Sequence, residues 1–341
     1  MRIRWAIIAG VGYLIFAAFW ILAAGVVQNG SQRELLNAAC DPTRELWHDL
    51  NRAFLPRYEA DTGESWTVRM SHGGSSSQAR AVIDGLQADL VTLAMWPDTD
   101  VIRKRGLISR GWEKRLPNRS LPFLSTIVFV VRKGNPRAIH DWNDLVREDI
   151  QVITPNPKTS GNGKWVFLAA WGSVIWAGGT DAEAEAYTTA LYRRVPVLDT
   201  SARGATMTFS QKVIGDVHLT WENEAFLEVE EAKGALEIVY PSRSILAEPH
   251  VAWVDAVVDR KGTRAVAEAY LQFLYSEEAQ EIIAQHHYRP VHPQVWARHR
   301  HRFGELTLHP VMSLGTDWDS LSARFFADGG IFDQVYLASF R

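Results

Sequence analysis

The chain has 341 residues, 47% hydrophobic and 22% charged, with a formal net charge of −3. That length exceeds one typical domain and suits two lobes of ordinary size, each with a real core. The near-neutral balance excludes a nucleic-acid footprint: the densest basic run, Arg298-His299-Arg300-His301-Arg302, is short and reads as a solvated helix face.

In chain order, Trp5 to Val27 carries no charge and follows Arg2 and Arg4. As a helix it would be roughly 34 Å long at about 1.5 Å per residue, enough to cross a hydrocarbon core of about 30 Å. The arginines favour the cytoplasmic side and send the body outward. Residues 1–30 are therefore expected to be a membrane anchor or a signal peptide. Ala23-Ala24-Gly25 offers a cleavage site, while the length favours an uncleaved anchor over residues 5–27. The one cysteine, Cys40, permits no internal disulfide. It stands beyond Arg33-Glu34 rather than against the apolar run, so it reads as a buried thiol and not a lipid attachment point.

The body alternates strands with helices. Leu35–Cys40 predicts a strand ended by Asp41-Pro42, then a helix with Trp47, Leu50 and Phe54 on one face. Trp66, Val68 and Met70 alternate as a strand. A Gly/Ser break follows, and then a helix with Ala79, Val82, Ile83 and Leu86 on one face. Further strands are expected at Leu90–Met95, Thr126–Val131, Val152–Thr154, Val195–Leu198 and Val217–Trp221. Helices are expected from near Lys164, over Ala205–Ile214, Thr263–Tyr275 and Glu277–His286. This order implies βα units in mainly parallel sheets. No linker separates two halves, so strands should cross between the lobes. The fourteen tryptophans belong chiefly to packing.

Three strand-to-helix junctions share one design: Gly73-Gly74-Ser75-Ser76-Ser77, Thr159-Ser160-Gly161-Asn162-Gly163 and Thr200-Ser201-Ala202-Arg203-Gly204. Ser and Thr cap helices, and glycine lets the backbone turn tightly. The first amides of a helix lack intrahelical partners and sit at the positive end of its dipole, so such an end can hold an anion without a charged side chain. A cap alone would explain any single junction; three in one chain point to a ligand. Catalytic patterns are weak by comparison. His72 and Ser75 share one loop, no G-x-S-x-G elbow or phosphate-binding G-x-x-x-x-G-K-[ST] occurs, and the histidines lack metal-ligand spacing. Trp221-Glu222-Asn223-Glu224 offers paired carboxylates, but nothing places an acid and a base across a cleft. No enzyme, metal or cofactor is expected.

Longer stretches carry a specific likeness. Asp41-Pro42-Thr43-Arg44-Glu45-Leu46, Ser71-His72-Gly73-Gly74-Ser75, Val152-Ile153-Thr154-Pro155-Asn156-Pro157-Lys158, Ser201-Ala202-Arg203-Gly204, Trp221-Glu222-Asn223-Glu224-Ala225 and Tyr288-Arg289-Pro290 follow one another in order. With these, the chain resembles the periplasmic sulfate-binding proteins of bacterial sulfate/thiosulfate importers. The resemblance implies an α/β, two-lobed type II periplasmic binding protein fold, preceded by the N-terminal hydrophobic helix. Residues 31–341 would form the body. Lobe I would take about 34–122 plus 225–285 and lobe II about 123–224, with C-terminal helices 286–341 packing across the lobes. It also implies an anion in the interlobe cleft held without a salt bridge. The amide of Ser75, the amide and hydroxyl of Ser160, the amides of Gly161, Asn162 and Ala202, and the indole N–H of Trp221 would be donors. Asp41 would orient other groups. The family usually carries Gly-Gly after the serine, so Asn162 is a departure that would reshape the pocket. The implied protein is a periplasmic, monomeric partner of an ABC permease and its ATPase, tethered to the membrane if residues 5–27 persist. Thiosulfate, a molybdate-type oxyanion, or a role as an anchored anion sensor are the alternatives.

Overall fold

Strand β1 (Arg33–Cys40) is apolar toward its end, and Leu35, Ala38, Ala39 and Cys40 are all buried, as suits a strand covered on both faces. The computed structural model describes residues 33–340. The expected anchor or signal segment at 1–30, with Trp5–Val27, lies outside the described residues. Among the described residues no helix is long and apolar enough to cross a membrane. The described chain divides into a small unit, residues 33–34 with Leu55–Thr67, and a large one, Leu35–Phe54 with Val68 onward. In the small unit Trp66 Nε1 donates to Glu64 Oε2 at 3.1 Å, and Arg33 pairs with the same carboxylate. Every site residue lies in the large unit.

The large unit is built on two sheets. The smaller has the order β10–β3–β1–β2, with β2 at Trp66–Gly73, β3 at Leu90–Leu93 and β10 at His250–Trp253. β1 and β3 pair in parallel, with Asn37 opposite Leu90. Helix α1 (Arg44–Thr62) starts after the Asp41–Thr43 turn and buries Leu46, Trp47, Leu50 and Phe54, one face at helical spacing. Helices α2 (Ser75–Ile83) and α3 (Trp96–Lys104) cover the sheet. Ala79 and Val82 of α2 and Ile102 of α3 meet Ala38, Val91 and Leu93 in one core.

The larger sheet is centred on β4 (Phe123–Arg132), whose residues 127–131 are at most 1% exposed. β7 (Val217–Trp221) pairs along one edge of β4. β8 (Leu236–Val239) and β9 (Arg243–Ala247) pair along the other. β5 (Val152–Pro155) lies parallel to β7, and β6 (Leu198–Asp199) is parallel to β5. Helix α4 (Gly161–Ile175) is buried on nearly every side. It lies against β9 and against α5 (Asp181–Arg193), and Phe167, Trp171 and Tyr192 form an aromatic core there with Phe325 and Phe332. Thr180 and Glu183 cap α5 reciprocally, a signal present in the sequence as Thr-x-x-Glu.

Three expectations are corrected. The sheets are mixed, because β4 runs antiparallel to β7, β8 and β9, and β10 runs antiparallel to β3. Both β4 and β10 arrive from the other sheet, so each enters from the opposite end. The return to the smaller sheet also comes later than residue 225. β8 and β9 find their hydrogen-bond partners on β4, and only at His250 does a strand rejoin β3. The strand expected at Val195–Leu198 is the short β6, since pairing exists only where Thr154 and Pro155 are available opposite Leu198 and Asp199. Towards the end of the chain, a helix at Trp318–Phe325 packs on α3 and one at Ile331–Ser339 packs on α5.

Candidate ligand-binding site

The three Gly/Ser junctions converge. Each leaves the carboxyl end of a strand and starts a helix, the place where open α/β sheets bind ligands. α2 begins at Ser75 after Gly74. The Ser75 hydroxyl donates to Asp98 Oδ2 at 2.7 Å and accepts from the Ala94 amide at 3.0 Å, so it is used up internally. α4 begins at Gly161 with Ser160 as its cap, whose Oγ accepts from Gly163 N at 3.3 Å. The loop before it is folded by Asn156, whose carbonyl accepts from the amides of Thr159 and Ser160. Helix α6 (Ala202–Thr206) is capped by Ser201, which accepts from Gly204 N at 3.2 Å. Thr159 Oγ1 donates to Thr200 O at 2.8 Å and locks two of the junctions together.

Between them lies a narrow cavity of ≈ 10 Å³, lined by Cys40, Asp41, Pro42, Gly73, Gly74, Ser75, Ala94, Ser160, Gly161, Asn162 and Ala202. Six of the seven sequence-derived site residues therefore share one wall. No Lys, Arg or His is among them. The amides of Ser75, Gly161, Asn162 and Ala202 lie in first helical turns, where no intrahelical acceptor exists. Asp41, the one carboxylate on the wall, accepts from Arg44 Nη2 at 2.8 Å. Lys164, in the first turn of α4, is matched by Asp98 at 2.8 Å.

Trp221, the seventh, is not on the cavity wall. It ends β7, is fully buried, and its indole Nε1 has no hydrogen-bond partner. Its ring meets Tyr288 edge-on at 6.5 Å, and Tyr288 Oη donates to the carbonyl of Pro42 on the wall at 2.7 Å. A buried N–H without an acceptor is costly in a finished fold, and the Trp47 indole shares this state with Trp221. Asn162 is 2% exposed; its Nδ2 donates to Thr220 Oγ1 at 3.3 Å and its Oδ1 has no partner.

Two features were not read from the sequence as parts of the site. Cys40 is buried as expected, but it also lines the cavity. Burial pushes its thiol up to about 12, so it stays neutral. Its position directly before Asp41 was the available signal. Ala94, which follows β3, had none. The carboxylates after Trp221 are engaged elsewhere: Glu222 takes a bidentate pair from Arg289 at 2.7 and 2.9 Å, and Glu224 lies beside Arg203.

A wall formed by converging helix starts, with no basic side chain and one carboxylate already paired, is a form that suits an anion. Comparison with known proteins agrees with that form. Residues 48–289 match the family described as "Bacterial extracellular solute-binding protein". The chain belongs to that family. Among the relatives of this solute-binding protein, the sulfate-binding protein of Escherichia coli K12 is 49% identical over 319 residues, 93% of this chain and 96% of the relative. The thiosulfate-binding protein of Pseudomonas aeruginosa is 47% identical over 321 residues, 93% and 97% of the two chains. Of solved structures, the sulfate-binding protein SubI from Mycobacterium tuberculosis H37Rv superposes with a TM-score of 0.78. It is 33% identical and covers 86% of this chain and 100% of its own.

Proposed function

We propose that this chain is the periplasmic solute-binding component of an ABC importer, capturing sulfate or thiosulfate. The lobes would close over the anion and a permease with its ATPase would receive it. It would carry out no catalysis and need no cofactor. The observation that carries this reading is the cavity wall, which brings residues from three helix starts together with the Ser160 cap and no basic side chain among them. Trp221, with its unpartnered indole N–H, is the further donor.

The energetics are consistent with a dianion. A buried charge is costly unless its oxygens are satisfied. Each hydrogen bond to a charged group contributes about 1.5–3 kcal/mol net, so several convergent donors offset that cost. A site built mainly of donors also disfavours hydrogen phosphate, whose P–OH would find an acceptor only in Asp41, already engaged by Arg44. Asn162 fits this account with its side-chain amide turned over: Oδ1 then accepts from the Thr220 hydroxyl and Nδ2 becomes one more donor. Thiosulfate stands beside sulfate because the relatives named for the two anions are nearly equally similar to this chain. Isothermal titration near neutral pH is expected to give tight binding of sulfate or thiosulfate and negligible binding of phosphate, with molybdate as a fourth arm. Phosphate binding of comparable affinity would sink the all-donor account.

A further inference from the structure

Two glycines at the site are not required by their own backbone. Gly74 has φ −58° and ψ 134°, which any residue adopts. Gly161 is the first residue of α4, where alanine would be the better helix former. What each cannot accept is a Cβ, and in both cases the obstacle belongs to the other sheet. A Cβ on Gly74, at the end of β2, would run into the carbonyl oxygen of Thr159 and come within 3.3 Å of the carbonyl of Thr200, in the loops after β5 and β6. A Cβ on Gly161 would lie 2.5 Å from Ala94 Cβ and 3.0 Å from Ser75 Cβ, at the ends of β3 and β2. Backbone carbonyls and Cβ atoms cannot rotate away as a long side chain can.

We infer that Gly74 and Gly161 form a two-way seam across the cleft, positioning residues that let the two halves of the donor set come within reach of one anion. The seam rests on the proposed capture of an anion by closure. Its physical content is that one methyl group on either side acts as a wedge between the sheets while leaving each sheet, and every donor amide, intact. Gly163 is the contrast. Its Cβ would meet Pro155 O at 2.5 Å and Asn156 C at 2.8 Å, atoms of its own half, so a methyl there strains the fold itself.

The test uses the full chain with Gly74→Ala, Gly161→Ala and Gly163→Ala beside the wild type. Sulfate and thiosulfate are titrated, ligand-free melting is recorded, and small-angle scattering gives the radius of gyration with and without saturating anion. For the two seam variants the ligand-free Tm is expected to be unchanged or higher, because alanine reduces unfolded-state freedom. Affinity is expected to fall about 10- to 100-fold, the range of overpacking costs expressed as a binding ratio. The anion-induced compaction of the wild type should be reduced. Gly163→Ala is expected to lower the ligand-free Tm. Wild-type affinity and compaction in both seam variants would overturn the inference. So would a ligand-free Tm that falls as it does in Gly163→Ala. A wild type that binds neither anion would instead remove the proposed function, and the seam with it.

Discussion

Trp221 presents the sharpest case of a side chain whose chemistry exceeds its packing. Indole can only donate, and here its N–H is buried with no acceptor in the fold. Trp221→Phe keeps most of the ring contact with Tyr288 while deleting the donor. Sulfate affinity should fall about 10- to 100-fold, as for one lost hydrogen bond to a charge, with the ligand-free melting temperature near that of wild type. Unchanged binding would show that the indole does not reach the anion. Glu224 is the second case. Burial is the main influence and raises its carboxyl to about 8. The Arg203 guanidinium opposes that rise, but its Nε–H makes no hydrogen bond although it lies 3.1 Å from Glu224 Oε2. The folded chain therefore holds a proton that the unfolded chain releases near pH 4.5. Stability from this group is fully present below pH 4.5 and declines as pH rises towards 8, by at most about 1.4 kcal/mol per pH unit. Denaturation of Glu224→Gln across that window should lack this component of the slope. An identical slope in wild type and variant would refute the assignment.

At the level of elements, function sits where strands hand over to helices. The amides proposed as donors come from the first turns of α2, α4 and α6. Their Ser and Gly residues were legible because capping is a local requirement: Ser160 and Ser201 each accept from the amide three residues on. Helical faces were legible too, since Trp47, Leu50 and Phe54 follow a 3.6-residue period. Strand direction was not. β4 is as apolar as any parallel strand, and its antiparallel pairing with β7 depends on the end from which it enters the sheet. α6 also departed from expectation. It starts at Ala202 and passes at Met207–Gln211 into a wider π turn, a change that periodicity does not encode.

Over the whole molecule, the joining of two sheets brings separate helix ends to one cavity, and binding there of the proposed anion should feed back on stability. An anion that binds only the folded state stabilises it by about 2.7 kcal/mol at one hundred times its Kd. Calorimetric melting should show a dose-dependent rise in Tm with sulfate or thiosulfate and none with phosphate. An equal rise with phosphate would count against selectivity. The sequence by itself determined the three junctions and the family likeness, because caps, turns and motifs are written in neighbouring residues; the Ser160 amide, expected as a donor, is instead taken by the Asn156 carbonyl at 2.9 Å. Only the tertiary structure decided that the junctions from β2, β5 and β6 meet at a single cavity, that Cys40 and Ala94 complete its wall, and that β8 and β9 belong with β4. It alone also shows what a Cβ on Gly74 or Gly161 would meet. A glycine needed for its own φ can be suspected from the sequence of a turn, but one needed for another segment's approach is defined by atoms distant along the chain.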